Sequence, residues 1–146
     1  MVLQMRTSLA LALVLVFLTL SVWHVYWAAG GRYGKPAAVP SAQDRGVFAP
    51  STLAMLLVAV GLLACAGLVA ATAGFIDTPV PGHALGSLSI TLAAALMMRA
   101  IGDFKLVGFF KPAHDSAFAR RDTLLYSPLC LALALAVGTL TILSRP

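Results

Sequence analysis

The chain has 146 residues, 60% of them hydrophobic and only 10% charged, with a mean hydropathy of +0.95. Soluble domains carry about 25% charged residues, so this composition excludes an ordinary soluble fold. The net charge of +5 would suggest nucleic acid in a soluble protein, but here the basic residues flank apolar segments, where membrane topology explains them and no nucleic-acid partner is expected.

Lys, Arg, Asp and Glu are absent from Thr7 to Gly31, Gly46 to Ile76, Thr78 to Met98 and Thr123 to Ser144, four windows of 25, 31, 21 and 22 residues. A helix needs about 20 apolar residues to cross a bilayer core. The windows predict an all-α membrane protein, a four-transmembrane-helix antiparallel bundle forming one integral membrane domain over 1–146. Its helices fall near 8–29, 51–73, 83–102 and 123–143.

The first window has a second reading, a secretory signal peptide, because Arg6 precedes it and Ala28, Ala29 and Gly30 are small. Its apolar run exceeds the roughly 7 to 15 residues of a signal core and ends in Trp23, Tyr26 and Trp27, so it is read as a retained helix. Gly30 and Gly31 close it, since glycine accepts the left-handed cap conformation. Pro50 and Ser51 open the second helix. Pro79 and Pro81 then sit in a connection short enough to force a hairpin. Pro128 lies inside the fourth window, where it either kinks a helix that began near Asp122 or occupies the first turn of one beginning at Ser127.

Eight basic residues (Arg32, Lys35, Arg45, Arg99, Lys105, Lys111, Arg120 and Arg121) lie in or beside the two long connections, against Arg6 and Arg145 on the other side. The positive-inside rule places connections 30–50 and 103–122 in the cytoplasm and both termini outside. Trp23, Tyr26, Trp27 and Tyr33, with Phe104, Phe109 and Phe110, gather at the same membrane face, as amphipathic rings do at headgroup level.

Ser87, Thr91, Ala95, Arg99 and Asp103 recur every four residues on helix three, a small and polar stripe expected to face other helices. Arg99 and Asp103 are one turn apart and can form an ion pair at the membrane boundary. His24, between Trp23 and Trp27, needs a polar partner at its depth; a carboxylate would make it a proton carrier or acid/base group, whereas more often such a histidine merely satisfies a local polar contact. Asp122 and Tyr126 are four apart at the start of helix four, where Asp122 also suits an N-cap or dipole partner. Topology therefore suggests one polar pocket bordered by His24, Trp27, Arg99, Asp103, Asp122 and Tyr126, without naming a catalytic residue.

Ala66, Ala70 and Gly74 form one small-residue row on helix two and Gly67 with Ala71 another, both read as packing surface within the bundle or between copies. Cys65 and Cys130 are single and form no CxxC pair, so they read as small buried hydrophobes. His83 begins helix three at the opposite face, about 30 Å from His24, and His114 stands alone in its loop. No metal or cofactor is expected, and no phosphate-binding loop, GxSxG or HExxH occurs.

Three strings carry a family resemblance: His24-Val25-Tyr26-Trp27-Ala28-Ala29-Gly30-Gly31, Arg99-Ala100-Ile101-Gly102-Asp103-Phe104-Lys105-Leu106-Val107-Gly108-Phe109-Phe110-Lys111, and Asp122-Thr123-Leu124-Leu125-Tyr126-Ser127-Pro128-Leu129-Cys130. Together, and with the Phe-Ala-Pro entry to helix two, the chain resembles the bacterial membrane-protein family known as domain of unknown function 3995. The resemblance implies a small four-helix protein of the bacterial cytoplasmic membrane and transfers no catalytic residue. The leading expectation is a membrane-embedded binding or accessory protein with an interfacial polar pocket. Its partners would be membrane lipids, with a homo-oligomer or a membrane-protein partner left open. The alternatives are a membrane enzyme acting on a lipid-like substrate through His24 and Asp122, and a small oligomeric transporter. A transporter would place ionisable groups at the bilayer midplane, where this sequence has only Ser, Thr and Cys as polar residues.

Overall fold

The computed structural model describes residues 1–34, 50–102, 108–110 and 117–144. Helix α1 runs Val2–Ala28, α2 Thr52–Thr72 and α3 Gly82–Ile101. A short α4 (Ala117–Arg121) passes through a π-helical turn, Asp122–Tyr126, into α5 (Ser127–Leu143). Among the described residues there is no strand. Four helical stretches are long and apolar enough to cross a membrane: Val2–Ala28, Thr52–Thr72, Gly82–Ile101 and Ala119–Leu143. Lipid offers no hydrogen bonds to a peptide group, so such segments satisfy their backbones internally as helices.

The helix ends follow local chemistry. Gly30 (φ 96°) closes α1 in a Schellman arrangement, its N–H donating to Trp27 O and that of Gly31 to Tyr26 O. Gly74 (φ 72°) repeats the motif on α2, with donations from Gly74 to Ala71 O and from Phe75 to Ala70 O. Ser51 caps α2 by accepting the Ala54 N–H at 3.1 Å. Two helices start earlier than the charge pattern predicts: α1 at Val2, and the last span's helix at Ala117. Arginines near a helix end do not interrupt its backbone ladder, because long basic side chains can snorkel to the interface.

The chain packs as two hairpins, α1 with α2 and α3 with α5, joined by looser contact between α2 and α3. Their shared core is Ala10, Leu13 and Phe17 of α1, Ala66, Val69 and Ala73 of α2, and Leu133, Val137 and Leu140 of α5. Outside this core the surface is apolar too, with Leu15, Val22, Leu57, Val60, Leu88, Met98, Leu135 and Ile142 exposed. An exterior this greasy suits lipid as solvent and would aggregate in water. Ser21 crosses the first hairpin by donating its hydroxyl to Ala59 O at 2.8 Å. A Thr72–Ser89 hydroxyl bond at 2.9 Å links α2 to α3.

One packing expectation is corrected. On α3, Ser87, Thr91 and Ala95 are exposed, while Ser89 and Ala100 are buried. Each hydroxyl of the stripe bonds its own helix, Ser87 to His83 O and Thr91 to Ser87 O, so neither needs a neighbouring helix. On α2 the row containing Ala66 faces the core, whereas a Cβ at Gly67 would meet nothing within 4 Å. Cys65 and Cys130 are half-buried.

Pro128 occupies the first turn of α5, as the second alternative had it, with the π turn running directly into that helix. It cannot donate to the carbonyl four residues back, and its ring crowds that carbonyl. The helix absorbs this by widening to a π turn just before it, in which the Ser127 N–H donates to Asp122 O, five residues earlier. At about 100° per residue, two side chains five apart on an α-helix diverge by roughly 140°. The π turn brings them together, and Asp122 and Ser127 are both completely buried.

Candidate functional site

The chemistry concentrates on Asp122. Arg99, in the last turn of α3, donates from Nη2 to Asp122 Oδ1 at 2.8 Å. Asp122 Oδ2 accepts the backbone N–H of Gly108 at 2.7 Å and a longer bond from the Ser127 hydroxyl at 3.4 Å. The carboxylate side chain is 0% exposed while that of Arg99 is 35% exposed. A buried carboxylate is costly to desolvate, and charged pairing with further hydrogen bonds offsets that cost. Arg99 also lies where the α3 dipole favours a cation.

Two glycines make the approach to Asp122 possible. Gly102 (φ 100°) ends α3 and Gly108 has φ 92°. A Cβ on Gly108 would lie 2.3 Å from both Ile101 O and the Gly102 Cα. The Phe109 N–H donates to Ala100 O at 3.0 Å, holding this stretch against the end of α3. Asp122 thus fastens three parts of the chain: the end of α3, the segment at Gly108 and the π turn.

The end of α1 carries an aromatic cluster. Trp23 lies 5.9 Å from Tyr26, 6.2 Å from Trp27 and 6.3 Å from Tyr33, centroid to centroid. The Trp27 indole donates to Tyr33 O at 2.9 Å. The Tyr26 ring occupies the space a side chain at Gly31 would need, which gives Gly31 a steric reason beyond its role in the cap. His24 packs edge-on to Trp27 at 5.2 Å, and its Nδ1 bonds Leu20 O of its own helix at 2.7 Å. That geometry requires Nδ1 to carry the proton and donate, since a carbonyl only accepts.

Of the six residues expected to border one pocket, Arg99 and Asp122 are in direct contact, across α3 and the π turn. Asp103 lies outside the described residues. Tyr126 is half-buried at the end of the π turn. His24 and Trp27 belong to the aromatic cluster, and among the described residues His24 has a backbone carbonyl rather than a carboxylate as its hydrogen-bond partner. Asp122 is also not an N-cap, because α4 precedes it. Gly108 and Ser127, absent from the expected set, also bond Asp122. Both stood in the family strings, but nothing in their spacing pointed to Asp122.

Fold and hydropathy together define a multi-pass, all-α membrane protein. The chain belongs to the DUF3995 family of proteins of unknown function, whose family model matches residues 17–137. That range contains Arg99, Gly102, Gly108, Asp122 and Ser127 as well as the aromatic cluster. No curated protein and no solved structure matches the chain.

Proposed function

We propose that the chain acts as a membrane-embedded binding or accessory protein, one integral membrane domain in a bacterial cytoplasmic membrane, whose working face is the Asp122 end. His24, Trp27, Arg99, Asp103, Asp122 and Tyr126 border that face, and headgroups of membrane lipids are its ligands. The observation that carries this reading is the complete engagement of Asp122: one oxygen faces Arg99, the other Gly108 N–H and Ser127, and none of the side chain reaches solvent. Such a group braces a surface rather than exchanging protons with a substrate. His24 likewise points its proton at its own helix, so the acid/base pair of the enzyme alternative lacks support. Around the brace, Trp23, Tyr26, Tyr33, Phe110, Arg32, Arg120 and Arg121 are exposed. Aromatic and basic side chains of this kind suit the headgroup region.

Both tryptophans of the chain, Trp23 and Trp27, lie at this end, so intrinsic fluorescence reports on it alone. With the protein in nanodiscs of single headgroup classes, one class is expected to shift the emission, and replacing Arg120 and Arg121 by Ala is expected to remove most of that shift. Emission indifferent to headgroup class would contradict lipid binding at this face. For orientation, a cysteine placed between Lys105 and Arg121 is expected to be protected from an impermeant maleimide in intact cells, and labelling from outside would reverse the topology.

A further inference from the structure

A second feature lies at the other end of the bundle and is independent of the reading above. The last turn of α2, the first turns of α3 and the end of α5 border a cavity of about 440 Å³, within the roughly 300–1,000 Å³ usual for small-molecule sites. It lies at the seam between the hairpins, where α2 meets α3 more loosely than either meets its own hairpin partner. Its accessible wall is α3: Gly82, His83, Ser87 and Ile90 are exposed, and Leu85 and Gly86 are half-buried. A Cβ at Gly82 or Gly86 would meet nothing within 4 Å, so the absence of those two side chains leaves the space open.

Two properties of the cavity select its occupant. The first is its course through the membrane. From Gly82 to Ile90, α3 rises about 12 Å at about 1.5 Å per residue, beginning at the end of a membrane span. One leaflet contributes about 15 Å to a bilayer core of about 30 Å. The cavity therefore runs from the membrane border most of the way to the midplane, as an acyl chain does. The second property is that its hydroxyls are already engaged. Thr72 bonds Ser89, Ser87 donates to His83 O and Thr141 donates to Val137 O, while Ser144 Oγ is sealed off from the cavity. Hydrocarbon can fill such a space without stripping any of these groups of a partner, and a stripped partner is what makes contact between polar and apolar groups costly. Leaving the space empty is worse, because atoms around a void lose their dispersion contacts. His83, exposed in the first turn of α3, offers an imidazole N–H to the ester or phosphate oxygens above a chain's first carbons.

We propose that this cavity is a binding site for one acyl chain of a membrane phospholipid, the chain lying along Gly82, Gly86 and Ile90 and its ester region meeting His83. The test uses the full chain in two preparations. One is extracted from membranes into mild detergent for native mass spectrometry. The other is held in phosphatidylcholine nanodiscs containing a phosphatidylcholine with a diazirine midway along one acyl chain, and its photo-adducts are mapped by peptide. One phospholipid is expected to stay with each chain in the spectrum. Adducts are expected on residues 82–90 at about five times or more the level on Leu11 and Leu15, which are exposed on α1. Gly86→Leu, which grows into the open space, should lower both retained lipid and labelling about tenfold at unchanged circular dichroism and melting. His83→Ala should lower retained lipid about fivefold, the factor that one hydrogen bond commonly supplies. Equal labelling of α1 and α3, or retention undiminished in both variants, would overturn the site. Full retention in His83→Ala alone would overturn the placement of the ester region. A retained free fatty acid would overturn the phospholipid, and a dimer mass lost in Gly86→Leu would give the cavity to a second copy of the chain instead.

Discussion

The two ends of this bundle solve the same problem, polar groups at the border of a membrane, in opposite ways. At the Asp122 end a full ion pair is sealed by a backbone N–H, a hydroxyl and two close-packed glycines. At the His83 end Ser87 and Thr141 bond their own helices, Thr72 bonds Ser89 between α2 and α3, and space beside them stays open. Charge is spent where the chain must be tied together across a long connection. Self-satisfied hydroxyls suffice where a short turn already holds the hairpins. The first end is accordingly expected to tolerate substitution less well than the second.

Substitutions should divide along that line. Asp122→Ala strips the acceptor from Arg99, Gly108 and Ser127 at once; breaking one side of a buried pair costs about 3–5 kcal/mol, which SDS-titration unfolding in mixed micelles would read. Gly108→Ala is expected to come next, losing about 3 kcal/mol, because a non-glycine residue at this φ is itself strained by about 1–3 kcal/mol and its Cβ would strike backbone of Ile101 and Gly102. A Gly108→Ala protein as stable as the parent would remove the close approach from the brace. Ser127→Ala should cost only about 0.5–1 kcal/mol, since its bond to Asp122 is long. At the quiet extreme, Gly67→Ala enters open space on α2 and should be neutral or stabilising by up to about 1 kcal/mol, the helix-propensity difference. A large loss there would show that Gly67 packs against something outside the monomer.

The same contrast governs what could be read from residues alone. Helices α2 and α3 fall within one residue of the expected 51–73 and 83–102, because Ser51, Gly74 and Pro81 act locally on helix ends. Arg99 was legible as a residue in need of a carboxylate, but its partner Asp122 is 23 residues on, a pairing that no helical spacing reports. The face occupied by Ser127 depends on a π turn, which changes the helical phase and escapes a count by fours. Likewise Ser87 and Thr91 look like interhelical glue until their hydroxyls are seen to bond their own carbonyls. Partners distant in sequence, and phase shifts inside a helix, arise from packing rather than from periodicity.

The brace at Asp122 is tested most directly by a double-mutant cycle between Arg99→Met and Asp122→Ala, with unfolding free energies measured for the four proteins in one micelle system. Groups in one buried network couple by about 0.5–3 kcal/mol, and with Asp122 fully enclosed a coupling of at least about 1 kcal/mol is expected. The double variant should then lose at least about 1 kcal/mol less than the sum of the two single losses. Additive losses, with coupling indistinguishable from zero, would contradict the ion pair as the element that ties the π turn to the end of α3.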